Sequence, residues 1–482
     1  MNKQKLFLVL FIVSFSFVTF SSLAAPEKGK QNPDGKRNQA GQGPQGVFQT
    51  EVPQHDFDII LGRATQNTIT LSILAYQDVE GYCEYGVNQG EFSVQTKPVK
   101  FVKGEPLEIS LKGLQPNSSY YYRFDYRKPD AKDYTKSAVY TFHTQRTSGN
   151  AFVFTVQADP HLDENTSTDI YKATLVNELA AKPDFQIDLG DTFMTNKYRE
   201  NFKDSFQQYL AQRYYFGLVC HSAPLYLTQG NHDGEGWIKN SSPDNMTVWA
   251  TTVRKRYYPN PFPDGFYTGN EIEEPLVGLP ENYYAWEWGD ALFIVLDPYR
   301  YTPVDNPWDR TLGEKQYRWL QQTLEKSKAK FKFIFIHNLV GGADLNGKAR
   351  GGAEVAKYYE WGGLNEDGSK GFQQHRPGWG QPIHDLLVQH HVSAVFHGHD
   401  HFFAKQELDG VIYQMGPQPG NPRASLGQVK EYGYKDGMFL PGAGYLRVSV
   451  SAKEVKVDYV RSNAGKETND LNGEGVYSYI IK

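Results

Sequence analysis

The chain has 482 residues, of which 39% are hydrophobic and 14% aromatic, so a sizeable buried core is available and wholesale disorder is excluded. A formal net charge of -5 provides none of the strong basic field of a nucleic-acid binder, so no nucleic acid polymer is expected as a partner. The only cysteines, Cys83 and Cys220, exclude a disulfide framework and a Cys-rich metal site, and read as two buried thiols in different domains.

Lys3 and Lys5 precede an apolar run from Leu6 to Phe20, and the small residues Ser22 and Ala24 follow, which is the pattern of a signal peptide over 1–24. Export to the periplasm or the medium is therefore expected. No later run reaches the roughly 18 apolar residues of a membrane span, so the mature chain is expected to have no transmembrane segment. From Pro26 to Gly46 the chain is rich in Gly, Gln, Asn, Pro and Lys, and a flexible linker is placed at 25–50.

Short alternating segments follow at Thr68 to Leu74, Tyr82 to Tyr85, Leu107 to Leu111, Tyr120 to Tyr126 and Ala138 to His143, predicting a small all-β sandwich at 51–147. The stretch from Leu111 to Tyr122 resembles the corner before the sixth strand of fibronectin type III-like sandwiches. After Gly149 apolar runs alternate with longer amphipathic stretches, predicting an α/β domain over 150–482. Its strand candidates are Phe152 to Ala158, Phe185 to Leu189, Leu225 to Thr228, Leu292 to Leu296, Lys332 to Ile336 and Ser393 to Phe396. Helices are predicted at Asp169 to Ala181, Glu200 to Ala211, Glu314 to Lys326 and Pro382 to His390. Trp237 to Pro280 reads as a long irregular loop that could shape substrate access.

The polar clusters follow these strands. Asp159-Pro160-His161, Gly190-Asp191, Gly230-Asn231-His232-Asp233, His337 and His397-Gly398-His399-Asp400-His401 each stand where an apolar run ends. Ligands of open α/β sheets gather beyond the carboxyl ends of strands, so loops spread over half the chain can converge. Imidazoles, carboxylates and one amide suit Zn, Mn or Fe, and there are too many for one ion. Two divalent or trivalent ions a few ångströms apart can clamp a phosphoryl group and turn a bridging water into a hydroxide nucleophile near neutral pH. Neither a Walker-type loop nor a Gly-x-Ser-x-Gly elbow competes with that reading.

In this order the five clusters resemble the calcineurin-like metallophosphoesterase superfamily, over about 150 to 410, and the sandwich ahead of them resembles the purple acid phosphatase architecture. The resemblance implies a four-layer α/β/β/α metallophosphoesterase domain and a small-molecule phosphate ester as substrate. It puts Asp159, His161 and His401 on a first metal, Asp191 between both metals, and Asn231, His337 and His399 on a second. His232 becomes the catalytic imidazole beside the leaving group. Met194 stands three positions after Asp191, where purple acid phosphatases carry a Tyr ligand, so their charge-transfer colour is expected to be absent. Asp233 and Asp163 are the candidates for orienting His232.

Taken singly, Asp191 and Asn231 read as turn or capping residues, and each His as a core histidine with a satisfied hydrogen bond; their joint occurrence at strand ends outweighs this. His375, Arg376, His384, His390 and His391 are assigned to loops and surface, and the aromatic group from Tyr257 to Trp288 to packing. The expected activity is a dinuclear-metal phosphoric ester hydrolase, with a phosphomonoesterase placed before a phosphodiesterase of nucleotide or lipid head-group diesters. The reading of another class is a non-enzymatic exported binding protein with a degenerate metal site.

Overall fold

The computed structural model describes residues 46–199, 201–236, 242, 245–303, 307–340, 350–423, 425–464 and 472–482. The expected signal peptide and the linker up to residue 45 lie outside the described residues. Among the described residues no helix is long and apolar enough to cross a membrane.

Residues 57–143 form a β-sandwich. One sheet pairs Phe57–Gly62, Thr68–Ala75 and Pro106–Lys112 antiparallel; the other is built on Val79–Gly86 paired with Ser119–Arg127, with Tyr140–His143 alongside. Period-two alternation produces this layer: Val79, Cys83 and Tyr85 are buried, while Glu80, Tyr82 and Glu84 between them are not. On the outer face Arg123 and Arg127 meet Glu84 and Glu80, their partners across the strand pair.

The remaining chain builds two stacked sheets. The six-stranded sheet runs in the order Leu225–Leu227, Phe185–Asp188, Phe152–Gln157, Gly444–Val450, Val455–Arg461 and Gly475–Ile481, its first three strands parallel. The eight-stranded sheet holds Ala291–Val295, Phe331–Ile336, Ala394–His397 and Val411–Met415 as its parallel centre. Both inner faces are apolar. Phe154 of the first sheet contacts the rings of Phe293, Phe333, Phe335 and Phe396 of the second at 5.2–6.3 Å, a fully buried aromatic seam.

Helices Thr168–Ala180 and Phe202–Cys220 cover the outside of the first sheet; Glu314–Lys326 and Ile383–Gln389 cover the outside of the second. The result is the four-layer α/β/β/α arrangement. Helix Phe202–Cys220 continues well past the predicted end at Ala211. Its second half, rich in Tyr, Phe and Val, gives no amphipathic signal because it is packed both by the sheet and by Ile60 and Leu74 of the sandwich. Arg213 on that helix is fully buried and donates to the carbonyls of Ser72 and Tyr257, tying the sandwich to the layered domain.

The stretch expected to be one irregular loop contains helix Met246–Tyr257, whose start is capped by the Asn245 side chain accepting from the Thr247 and Val248 amides. Its β-branched first turns, Thr247, Val248, Thr251 and Thr252, hid it from propensity. Both cysteines are buried free thiols. His384, expected near the surface, is buried against the Tyr413 hydroxyl and Asp409, and His375 stacks on Trp308 at 4.3 Å.

Candidate functional site

Five strand ends from the two sheets open onto one edge of the sheet pair. Phe152–Gln157 delivers Asp159 and His161, Phe185–Asp188 delivers Asp191, Leu225–Leu227 leads to Asn231 and His232, Phe331–Ile336 to His337, and Ala394–His397 to His399 and His401. Parallel pairing within each sheet places these ends side by side.

The loops approach so closely that glycine is required. A Cβ on Gly230 would sit 2.0 Å from the Asp191 nitrogen, and one on Gly398 would sit 2.8 Å from Asp159 Oδ2. Asp159, Asp191, His399 and His401 have φ of 57°, 55°, 79° and 71°, a left-handed conformation costly for residues with a Cβ. Such strain clusters where a site dictates side-chain direction.

The side chains fall into two groups, Asp159 with His161 and His401, and Asp191 with His337 and His399; within each group one potential ligand atom per residue lies within 4.8 Å of the others. Asp159 Oδ1 stands 3.5 Å from His401 Nε2, 3.6 Å from His161 Nε2 and 3.8 Å from His337 Nε2. Asp191 Oδ2 lies 3.3 Å from His337 Nε2 and 3.8 Å from His161 Nε2, so it reaches both groups. Nδ1 of His399 faces Nε2 of His337 at 3.2 Å.

Neighbouring groups set the imidazole orientations. His337 Nδ1 donates to the Leu189 carbonyl at 2.8 Å, which turns its Nε2 toward the two carboxylates. His161 Nδ1 lies 3.2 Å from Asp163 Oδ2, and its Nε2 turns to the carboxylates. Burial opposes charge on His337, yet Asp191 and Asp159 hold it up to about 9; burial also opposes charge on Asp159, and the imidazoles of His401 and His337 hold that carboxyl well below the usual range. The groups are built to neutralise positive charge.

Asp159 Oδ1, His161 Nε2 and Asn231 Oδ1 are buried and meet no hydrogen-bond partner among the described residues. Leaving them so is costly unless something else occupies their lone pairs. All three are lone-pair donors of the hard to borderline class, so the residues fit metal ions.

His232 lines a cavity of about 230 Å³ beside these groups. Its amide donates to Asp191 Oδ1 at 2.7 Å. Its Nδ1 lies 3.0 Å from Asn196 Oδ1, and the Asn196 amide nitrogen donates to the Asn231 carbonyl at 3.2 Å, which fixes the amide orientation and makes His232 Nδ1 the protonated nitrogen. Burial lowers the His232 pKa to about 4.

The orienting partner of His232 is thus neither Asp233 nor Asp163. Asp233 accepts the amides of Asp191, Thr192, Phe193 and Gly230, stitching two loops together, and Asp163 serves His161. Asn196 had no signal in sequence beyond a turn-prone residue five positions after Asp191. Gln418, which donates to the Asp159 carbonyl at 3.1 Å, was equally silent. A larger groove of about 1070 Å³, between residues 265–272 and helix Glu314–Lys326, contains none of these groups.

The comparisons agree with this geometry. The chain is similar in fold to a purple acid phosphatase, PPD1, from yellow lupin (Lupinus luteus) seeds, with 14% identity and a TM-score of 0.57 over 88% of this chain and 74% of that one. It is also similar to PhoD, with 15% identity and a TM-score of 0.58 over 88% of both chains. No curated protein matches it. The model of the calcineurin-like phosphoesterase family matches residues 152–403, more than half of the sequence, and the chain belongs to that family.

Proposed function

We propose that the protein is an exported hydrolase of phosphoric esters with a dinuclear metal centre, and that its substrates are small phosphomonoesters. The observation that carries this is the sharing of Asp191 Oδ2 between two donor groups, which include three buried atoms with no hydrogen-bond partner among the described residues. Asp159, His161 and His401 would hold one ion, Asn231, His337 and His399 the other, and Asp191 both; Fe, Zn and Mn all suit the set. Two ions there supply Lewis acidity and a water activated near neutral pH.

The chain's own residues do the rest. Asp191 divides its oxygens, Oδ1 accepting the His232 amide and Oδ2 facing the imidazoles, so a single carboxylate registers His232 against the donor groups. With Nδ1 held by Asn196, His232 has Nε2 left for the leaving-group side of the cavity. Burial disfavours the charged form of this imidazole, and an anionic ester beside it would favour a proton on Nε2 that could pass to the departing oxygen. Lys197, on the same cavity wall, adds positive charge suited to a phosphate dianion.

The small cavity supports monoesters over diesters, which need room for a second substituent. A complete donor set argues against a degenerate site. The test is steady-state kinetics on p-nitrophenyl phosphate and bis-p-nitrophenyl phosphate, with metal analysis of the same preparation. Monoester preference with about two ions bound supports the proposal. Diester preference replaces the substrate class and keeps the centre; absence of turnover and of bound metal after reconstitution with Mn, Zn or Fe favours a binding protein.

A further inference from the structure

The segment 46–49, ahead of the sandwich in sequence, brings Phe48 into the wall of the cavity that His232 lines. Phe48 pairs with Asp163 as an isolated antiparallel bridge, and the Gln49 amide donates to the Leu162 carbonyl at 2.7 Å. The Gln49 side chain donates to the carbonyls of Asp163 and Thr166, and the Val47 amide to Glu164 Oε2 at 3.3 Å. This anchors the segment to the loop that carries His161.

The Phe48 ring reaches the opposite side. It stacks on Tyr198 with centroids 4.6 Å apart and planes 28° apart, at the end of the turn Thr195–Tyr198 that carries Asn196 and Lys197. One face of the ring is therefore used. Phe48 is only partly buried, and it lines the same cavity as His232, Met194 and Lys197. A ring serving only as an anchor has no need to form a wall of that cavity. Phe48 and Met194 give an otherwise polar cavity an apolar side.

Resting on the phosphomonoesterase reading, we propose that Phe48 is a specificity-determining residue: it packs against the leaving group and selects phosphomonoesters whose alcohol is flat and aromatic. Stacking on a ring already held by Tyr198 avoids the ordering cost of a mobile side chain. The latch formed by Gln49 holds the ring in place, so the preference depends on Gln49 as well.

The test is titration calorimetry of the metal-loaded full-length protein with phenylphosphonate and methylphosphonate, which cannot be hydrolysed. Wild type is expected to bind the phenyl compound about tenfold more tightly than the methyl one. Phe48→Ala and Gln49→Ala bring that ratio below about twofold with methylphosphonate affinity unchanged, while Phe48→Trp retains it. An equal affinity for both ligands in wild type, or an undiminished ratio in Phe48→Ala with an unchanged melting temperature, overturns the proposal. Turnover of p-nitrophenyl phosphate is measured separately. Failure there removes the phosphomonoesterase reading, and the phosphonate ratio still decides the role of Phe48.

Discussion

Nδ1 of His232 donates to Oδ1 of Asn196 across 3.0 Å, and the same Asn196 amide holds the backbone carbonyl of Asn231. One uncharged side chain thus sets both the tautomer of the candidate acid and the position of the candidate ligand before it. Replacing Asn196 by Ala is expected to lower kcat about tenfold with a smaller change in KM, because orientation of the imidazole is lost while the cavity remains. Metal content is measured alongside, because Asn196 also holds the Asn231 carbonyl, and a fall in occupancy smaller than the fall in kcat is expected. A kcat within twofold of wild type would show that His232 needs no such partner.

Asp191→Asn retains the shape of the side chain and removes its charge. Its Oδ2 is the oxygen that faces both donor groups, so loss of bound metal and at least a roughly 100-fold fall in kcat are expected. Metal analysis after gel filtration, paired with kinetics under added Mn, separates weakened binding from loss of chemistry. Undiminished turnover with full metal content would sink the dinuclear assignment.

Glu178, on helix Thr168–Ala180, is buried where Thr155 of strand Phe152–Gln157 donates to it at 2.8 Å, and burial pushes its pKa up to about 8. The folded protein therefore binds a proton that the unfolded chain releases above about pH 4.3. The unfolded state binds fewer protons in the window between these values, so stability falls as pH rises from about 5 to 8. Glu178→Gln removes this loss. Its melting temperature should exceed that of wild type at pH 8, by a stability difference on the order of 2–4 kcal/mol, and match it closely at pH 5. Parallel melting curves of the two proteins across that range would refute the linkage.

Arg213 is fully buried between the domains and bonded to the carbonyls of Ser72 and Tyr257. Arg213→Ala leaves both carbonyls without their donor and opens a cavity, with an expected loss of about 3–5 kcal/mol. Urea unfolding followed by tryptophan fluorescence reads this. The protein that remains folded should keep its kcat, since no part of Arg213 reaches the site.

Much of the candidate site was legible because the chemistry proposed for it needs particular side chains at particular strand ends. Asp159, His161, Asp191, Asn231, His337, His399 and His401 stand out as polar residues after apolar runs, and the structure brings all seven to one edge. The strands were legible for a related reason: buried parallel strands such as Phe331–Ile336 are continuous apolar runs. Helix Met246–Tyr257 escaped because a β-branched start is overridden by a cap and by tertiary packing.

Local periodicity and chemistry carried on single residues were enough to read the layer pattern and the charged and imidazole groups of the candidate site. Which side chains touch follows from the folded chain alone. Asn196 rather than Asp233 partners His232, Asp233 stitches two loops, and Phe48 crosses from before the sandwich to the cavity. Those contacts join residues far apart in the chain, and nothing in local composition distinguishes an asparagine that closes a turn from one that orients a buried imidazole.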